Sequence, residues 1–281
     1  YYLFRTVGTV SHPSNNALQA SDITVDTTTL VTDSTNNRVG VGIASPDGTL
    51  HVHSATAGSV IANTDANDLV VENSGHAGIN ILSPDANRSA IQFGHTSDNL
   101  KMQIRHDGGT SLSQIISDDA LTFNVGDGTE RMRIDANGHI TKPTQSAFLV
   151  TMSSNSAQFG ASGTTPNFNT EIFDQNGDFA SNAFTAPVTG RYYLSCLLYG
   201  YNLDNDASYY FILIQTSNRN YYKYLGVGQW DSDAIYYGID VQMLCDMDAN
   251  DTASISFGQS GGHSASQILA AASFFSGYLV C

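Results

Sequence analysis

The chain has 281 residues, with 11 Lys plus Arg against 26 Asp plus Glu and a net charge of −15. Proteins that bind nucleic-acid phosphates or anionic lipid need a positive surface, so this charge balance argues against both classes. Charged residues make up only 13 % of the chain, and Ser, Thr, Asn, Gly and Tyr replace them. With no apolar period typical of helices, this composition predicts an all-β protein exposed to the medium.

The cysteines and apolar runs exclude further classes. Cys196, Cys245 and Cys281 show no C-x-x-C spacing and are odd in number, which argues against a zinc knuckle or a disulfide framework. We expect Cys196 and Cys245 to be small core residues. The longest nearly apolar run, 268–275, is too short to cross a bilayer, so no membrane insertion is expected. The chain begins at Tyr1 without an initiator Met, and we expect it to be part of something longer.

Residues 1–140 show short strand patterns separated by turns rich in Asn, Asp, Gly and Pro, the residues that turn geometry favours. The predicted strand runs are 39–43, 50–53, 67–72, 90–93, 100–105 and 120–125. A weak repeat, 32–39 and 134–140, shares an acid, a turn and a return strand. Units this short cannot bury an apolar face alone and need neighbours along the chain or other copies around an axis. An ordinary loop-rich β domain is the alternative.

Residues 145–281 carry longer strands and more aromatic residues, and 142–144 looks like the boundary. The runs 191–201 and 209–215 are nearly continuously apolar, which predicts strands covered on both faces and therefore cover from other subunits. A third run alternates. Its predicted core face consists of Ile235, Tyr237, Ile239, Val241, Met243 and Cys245.

Two motifs about ninety residues apart carry a family resemblance. The first is F-T-A-P-V-T-G-R-Y, which starts at Phe184, and the second is F-S-G-Y-L, which starts at Phe275. Both resemble the globular head of complement component 1q and its relatives, the trimeric jelly-roll family that includes tumour necrosis factor. Residues 147–150 and 168–174 look like the first strands of that head. The resemblance implies a ten-strand jelly-roll sandwich over 145–281, with three copies around one axis.

The motif residues also have physical roles. Pro187 and Gly190 bracket a tight turn, Phe184 and Tyr193 are expected to enter the sandwich from its two sides, and Gly277 would let a ring or backbone approach closely. The core and trimer signature comprises Phe184, Pro187, Gly190, Tyr193, Phe275, Gly277 and Tyr278.

The first half has no collagen-like Gly-x-y repeat. Its phrases at 33–46, 49–52 and 130–138 instead resemble shaft segments of phage tail fibres. Together the resemblances imply a homotrimeric tail-fibre protein of the virion, extracellular, with a β shaft or collar (1–140) that attaches to other tail or virion proteins through a missing N-terminal part. Its head would bind a host cell-surface receptor, either a glycan or an outer-surface protein.

Two alternatives stay open: a secreted cellular adhesion protein of the complement type, and a polysaccharide depolymerase. An enzyme is not the expectation, because G-x-S-x-G, P-loop and H-E-x-x-H motifs are absent from the sequence.

Two loops of the head are candidate receptor contacts, because loops on a rigid scaffold commonly bind ligands and Tyr or Trp gives large contact area. The candidate residues are Asp204, Asn205, Asp206, Tyr222, Trp230, Asp231, Asp233 and Tyr236. The alternative interpretation is that the tyrosines lie buried between subunits and that Trp230 is a packed corner.

Two metal sites are predicted, although no cofactor is required. Asp204, Asp206, Asp231 and Asp233 are hard oxygen ligands that suit Ca²⁺, and some heads of the resembled family bind calcium near the threefold axis. His51 and His53 lie on one face of a strand, and three copies around an axis would offer six nitrogens, a set that suits iron. Solvated acidic turns and ordinary shaft histidines are the alternatives.

Overall fold

The computed structural model describes residues 24–25, 28–160, 164–263 and 265–281, and every regular element in these ranges is a strand. The predicted all-β class is therefore confirmed. Contacts divide the chain into two compact units between Ile116 and Ser117. Over the described ranges, no helix is long and apolar enough to span a membrane. Residues 1–23, which open the predicted shaft, lie outside the described residues.

The strands up to residue 117 are short. Their bounds are β1 Thr24–Val25, β2 Leu30–Asp33, β3 Arg38–Val41, β4 Leu50–His53, β5 Leu69–Glu72, β6 Arg88–Phe93, β7 Met102–Asp107 and β8 Leu112–Ser117. Strands β1 to β5 form one sheet in chain order, in which β3, β4 and β5 run parallel. Strands β6 to β8 form a second, three-stranded sheet. None of the described Val, Ile, Leu, Met or Phe side chains here is buried.

Both copies of the predicted repeat are strand–turn–strand units held by their acid. Asp33 accepts the backbone N–H groups of Thr35 (3.0 Å) and Asn36 (3.1 Å). Asp135 accepts those of Asn137 and His139, both at 2.8 Å. The side-chain bond from Asn36 is the main cause that lowers the pKa of Asp33, and that from His139 does the same for Asp135. The repeat is therefore a turn that caps its own backbone donors.

The remaining strands build a small sheet and a sandwich. Their bounds are β9 Leu121–Val125, β10 Thr129–Ile134, β11 Ile140–Thr141, β12 Ala147–Thr151, β13 Thr170–Asp174, β14 Phe179–Ala180, β15 Ala183–Thr185, β16 Gly190–Leu203, β17 Ala207–Thr216, β18 Asn220–Gly226, β19 Ala234–Met247, β20 Thr252–Gly261 and β21 Gln267–Leu279. Strands β9 to β11 form the small sheet.

The ten strands β12 to β21 form two five-stranded sheets, ordered β13-β12-β21-β16-β19 and β14-β15-β20-β17-β18. Without β13 and β14, the other eight strands, numbered in chain order, follow the order 1-8-3-6 and 2-7-4-5, which is a jelly roll. The predicted ten-strand jelly roll is confirmed. The predicted domain boundary at 142–144 falls inside the second compact unit, just before β12, and as a domain boundary it stays a prediction.

The jelly roll packs around an aromatic core. The ring of Phe148 lies 4.9 Å from Phe184, 5.0 Å from Phe275 and 5.3 Å from Phe179, measured between centroids. A Cβ on Gly277 would collide with Leu194 and the Phe148 ring, so the predicted close approach is confirmed.

The described cysteines are all free thiols. Cys196 and Cys245 are buried, as predicted for small core residues, whereas Cys281 is exposed. Burial raises the pKa of Cys245 to about 11, so its reactive thiolate form is rare near neutral pH.

The predicted side-chain direction of Tyr193 is wrong. Tyr193 does not enter the sandwich: it lies on the outer face, near Tyr278, and its hydroxyl donates to Gln242 at 2.6 Å. Its neighbour Tyr192 is the buried residue, and its hydroxyl donates to the carbonyl of Val188 at 2.7 Å. Since strand side chains alternate, only one of two adjacent tyrosines can join Phe184 in the core.

The predicted core face of β19 is also only partly confirmed. Ile239, Val241 and Cys245 are buried, but Ile235, Tyr237 and Met243 are exposed. Strand β19 is the edge of its sheet, where one side has no neighbouring strand to cover these side chains. Cover from other subunits for 191–201 and 209–215 stays a prediction.

Candidate functional site

Three loops meet at one end of the sandwich. They connect β16 to β17, β18 to β19 and β20 to β21, and we call them together the loop cluster (residues 204–206, 227–233 and 262–263). The N–H of Asn205 donates to Asp233 Oδ1 at 3.0 Å, and the Asn205 side-chain amide donates to the Trp230 carbonyl at 3.4 Å. The backbone N–H of His263 donates to Asp204 Oδ2. The fold thus joins segments about sixty residues apart in sequence.

Asp204 is the buried centre of this cluster. Its Oδ1 accepts the N–H of Asp206 at 2.8 Å, and its own N–H donates to the hydroxyl of Tyr210 at 2.7 Å. Gly262 has a φ of 74°, and a Cβ there would collide with Asp204 Oδ2. Burial alone would raise the pKa of Asp204, but the N–H groups of His263 and Asp206 and the His263 charge outweigh it and lower that pKa. The carboxylate is therefore held charged in a fixed position.

His263 lies between two carboxylates. Its Nε2 is 3.6 Å from Asp204 Oδ2 and 3.5 Å from Asp233 Oδ2, and ligand atoms of the three residues lie within 4.8 Å of one another. In the part of the chain that the structure describes, this is the one group of three such side chains that could hold a metal ion. Two of the four predicted calcium ligands, Asp204 and Asp233, are in it.

The other two predicted calcium ligands are placed differently. Asp206 contributes a backbone N–H to Asp204 and exposes its side chain, and Asp231 is also exposed. Neither carboxylate joins the three-residue group among the described residues. The calcium site stays a prediction, now with fewer oxygen ligands than Ca²⁺ takes in proteins.

The sequence prediction overlooked His263. A signal was available, because it is the only histidine after residue 139 and directly follows Gly261-Gly262. Glycine pairs mark turns that need positive φ, and both of these glycines have a φ of 74°.

The predicted receptor contacts fall in three places. Trp230 belongs to the loop cluster and is partly buried, with its ring 5.3 Å from that of Tyr237. Tyr236 lies instead on the outer face of the first sheet, stacked on Tyr199 with centroids 5.7 Å apart. Tyr222 lies on the second sheet, stacked on Tyr224. Only the six loop residues of the predicted set therefore lie close to one another.

The two shaft histidines share a strand face, as the alternation predicts, and both approach Glu72. The backbone N–H of Asp47 donates to His51 Nδ1 at 3.2 Å, so Nε2 carries the proton and donates to Glu72 Oε2 at 3.1 Å. His53 Nδ1 lies 3.1 Å from the Gly42 carbonyl. His51 is fully buried, and both its nitrogens have partners within the chain. Iron on a threefold axis stays a prediction that would require His51 to leave these partners.

Comparison with known proteins gives fold neighbours only. No protein-family model and no curated protein matches the chain. Among solved structures, the globular domain of a zebrafish complement 1qA protein is 16 % identical, covering 49 % of this chain and 98 % of its own, with a TM-score of 0.38. A crystal structure of murine APRIL at pH 8.0 is 7 % identical over 49 % of this chain and 100 % of its own, with a TM-score of 0.36. At these scores, neither adds to the topology that the strand order defines.

Proposed function

We propose that this chain is a homotrimeric adhesin, a tail-fibre protein of a phage or phage-like particle whose jelly-roll head binds a host cell-surface receptor through the loop cluster. The observation that carries the proposal is the cluster itself. Buried Asp204 and its neighbour Asn205 join the three loops on a rigid sandwich, and Trp230, Asp231 and Asp233 lie at the rim of the cluster. Preformed loops that combine an aromatic ring with polar groups suit recognition at low entropic cost.

The outer face of the first sheet supports a trimer. Pairing across β21, β16 and β19 places aromatic and apolar side chains on this face, with few charges among them. The residues are Tyr193, Leu197, Tyr199, Tyr236, Leu244, Phe274 and Tyr278. A contiguous apolar face of this kind marks a protein interface, and two further copies would cover it.

The chain before residue 146 supports the same assembly. Val60, Ile61 and Leu82, which lie between strands, are each more than 70 % exposed, and no Val, Ile, Leu, Met or Phe side chain described before residue 146 is buried. Other copies around the axis would bury these faces, as intertwined β shafts require. Three weak head contacts would then act together at a cell surface.

The assembly is tested by light scattering on the native protein at low micromolar concentration, with and without EDTA. We expect a mass of three chains that EDTA leaves unchanged. A mass that falls with EDTA would mean that a metal ion holds the assembly together. Asp204, Asp233 and His263, or His51 and His53, would then be the candidate ligands. A stable monomer would contradict the trimer.

Receptor binding is tested with fluorescently labelled protein on a panel of bacterial strains. We expect saturable binding to some strains, weakened at least tenfold by Trp230→Ala and by Asp231→Ala. Val188→Ser, an exposed position at the opposite end of the sandwich, is the matched control and should bind like the native chain. Thermal midpoints check that each variant is folded.

Saturable binding that survives both loop substitutions would contradict the assignment of the site. Binding to no strain would contradict the adhesin and favour the cellular complement-type alternative. Shortened polysaccharide chains after incubation would instead indicate a depolymerase.

A further inference from the structure

A second aromatic surface lies on the other sheet, away from the loop cluster. Strand pairing places Phe211 opposite Tyr224 and Leu213 opposite Tyr222 on the outer face of β17 and β18, and Tyr209 shares that face. We call Tyr209, Phe211, Tyr222 and Tyr224 the aromatic platform. The next strand, β20, continues this face with Ser256, Gly258 and Ser260, whose small side chains leave the rings standing above a low, hydroxyl-bearing floor.

The four rings hold one another in place. Tyr222 and Tyr224 lie nearly parallel, with an interplanar angle of 8° and centroids 5.5 Å apart. Tyr209 meets Tyr224 edge-on at 5.3 Å, and Phe211 lies 5.9 Å from Tyr222 and 6.4 Å from Tyr224. Because neighbours restrict their rotamers, a ligand that stacks on these rings would cost them little further entropy.

The tyrosine rings of the platform are exposed, and their hydroxyl groups have no hydrogen-bond partner among the described residues. Tyr222 is 47 % and Tyr224 58 % exposed. Within the residues that the structure describes, the hydroxyls of Tyr209, Tyr222 and Tyr224 make no hydrogen bond. By contrast, Tyr221 on the opposite face of the same strand has its hydroxyl 3.3 Å from Asp246. The platform therefore offers both ring faces and free hydroxyl groups.

Charge and area limit the occupant. The chain has a net charge of −15, yet no Asp, Glu, Lys, Arg or His lies on the platform or its serine floor. Lys223 points to the other face and pairs with Asp240 at 3.0 Å. With typical areas for aromatic side chains, the exposed surface of the four rings amounts to roughly 300 Å². This is well below the ~800 Å² per partner that a stable protein interface buries. A second copy of the chain is therefore a poor fit.

We infer that the aromatic platform binds the face of a neutral pyranose sugar. Aromatic faces are negative, and the C–H groups on one side of a pyranose ring are weakly positive and apolar. Its hydroxyl groups at the rim would reach the free tyrosine hydroxyls and the serine floor. The inference goes beyond the proposed function, because the platform could bind a sugar whether or not the loop cluster binds a receptor.

Affinity electrophoresis of the native protein in gels that contain a neutral polysaccharide tests the inference. Dextran, amylose and hydroxyethylcellulose are the probes, and polygalacturonate is the charged comparison. We expect retardation by at least one neutral polymer and none by polygalacturonate. The double variant Tyr222→Leu/Tyr224→Leu should lose at least tenfold in apparent affinity, because leucine keeps bulk without a ring face. Tyr222→Phe/Tyr224→Phe should stay within about threefold of native.

Three results would overturn the inference: no retardation by any neutral polymer, equal binding by the leucine variant, or a lower native mass for that variant in light scattering. The last would make the platform a contact between subunits. Cell binding through the loop cluster could persist in every one of these cases, so the two proposals fail separately.

Discussion

The strands before residue 146 and the jelly roll after it differ in how they bury apolar surface. In the first region no described Val, Ile, Leu, Met or Phe side chain is buried, whereas the jelly roll encloses Phe148, Phe184, Phe257 and Phe275 almost completely. Hairpins and turns can form locally, but apolar burial supplies most of the stabilising free energy. Within the single chain, the jelly roll therefore has its own apolar core, whereas the strands before residue 146 have none among the described residues.

The sharpest test compares two phenylalanines. Phe184→Ala empties a fully buried site and should cost about 3–5 kcal/mol in free energy of unfolding. Phe93 in β6 is 51 % exposed in the single chain, so Phe93→Ala should have little effect on a monomer. In a trimer that covers Phe93, however, Phe93→Ala should clearly lower the free energy of unfolding. Denaturant unfolding of both variants measures the difference.

Protein concentration provides the control for this pair. If other copies cover Phe93, the cost of Phe93→Ala should depend on chain concentration, because unfolding is then linked to dissociation. A negligible cost at every concentration, with a trimeric mass, would mean that β6 stays outside the interface.

The next effect concerns Asp204, whose partners all lie inside the second unit. Asp204→Asn should cost about 1.5–3 kcal/mol near pH 7, because bonds to a charged acceptor are lost. Since folding lowers the pKa of Asp204, its contribution is fully present above about pH 4, the unfolded value. It disappears as pH falls through the folded value. The gap between native and variant unfolding free energies should therefore narrow below pH 4.

Asp206→Asn is the matched control, because Asp206 uses its backbone N–H and exposes its carboxylate. Its unfolding curve should follow the native one at each pH. A gap for Asp204→Asn that stays constant down to pH 2 would show that its charge contributes nothing to stability.

The sequence predicts the jelly roll well, because two motifs fix β15–β16 and β21 and long apolar runs mark the strands between them. In the first region the six predicted strand runs all overlap strands, while β1, β2, β8, β10 and β11 lie outside those runs. The errors have a common physical origin. The two-residue period of a strand predicts that neighbours such as Tyr192 and Tyr193 lie on opposite faces of the sheet. It does not predict which of the two faces the core. The loop cluster could not be predicted in full without tertiary contacts, since nothing in the local sequence connects Asp204 with His263.

His51 tests how far the first region depends on other copies. If its two intrachain bonds are its role, His51→Ala should cost about 1–3 kcal/mol for the unsatisfied buried groups, and elemental analysis of the native protein should find no iron. One iron per three chains, lost in His53→Ala as well, would establish the threefold site and contradict the intrachain role.

The smallest effect should be equal in the two compact units, since Asp33 lies in the first and Asp135 in the second. Asp33 and Asp135 each accept two backbone N–H bonds within their own turn, so their contribution should not depend on burial elsewhere. We expect Asp33→Ala and Asp135→Ala each to lower the thermal midpoint by roughly 1–4 °C, with Asp→Asn variants closer to native because asparagine can still accept these bonds. A much larger loss for Asp33→Ala would show that its turn is also a contact between chains. In that case, local turns and assembly are not separable in the first region, and the contrast with the jelly roll is stronger than the single chain reveals.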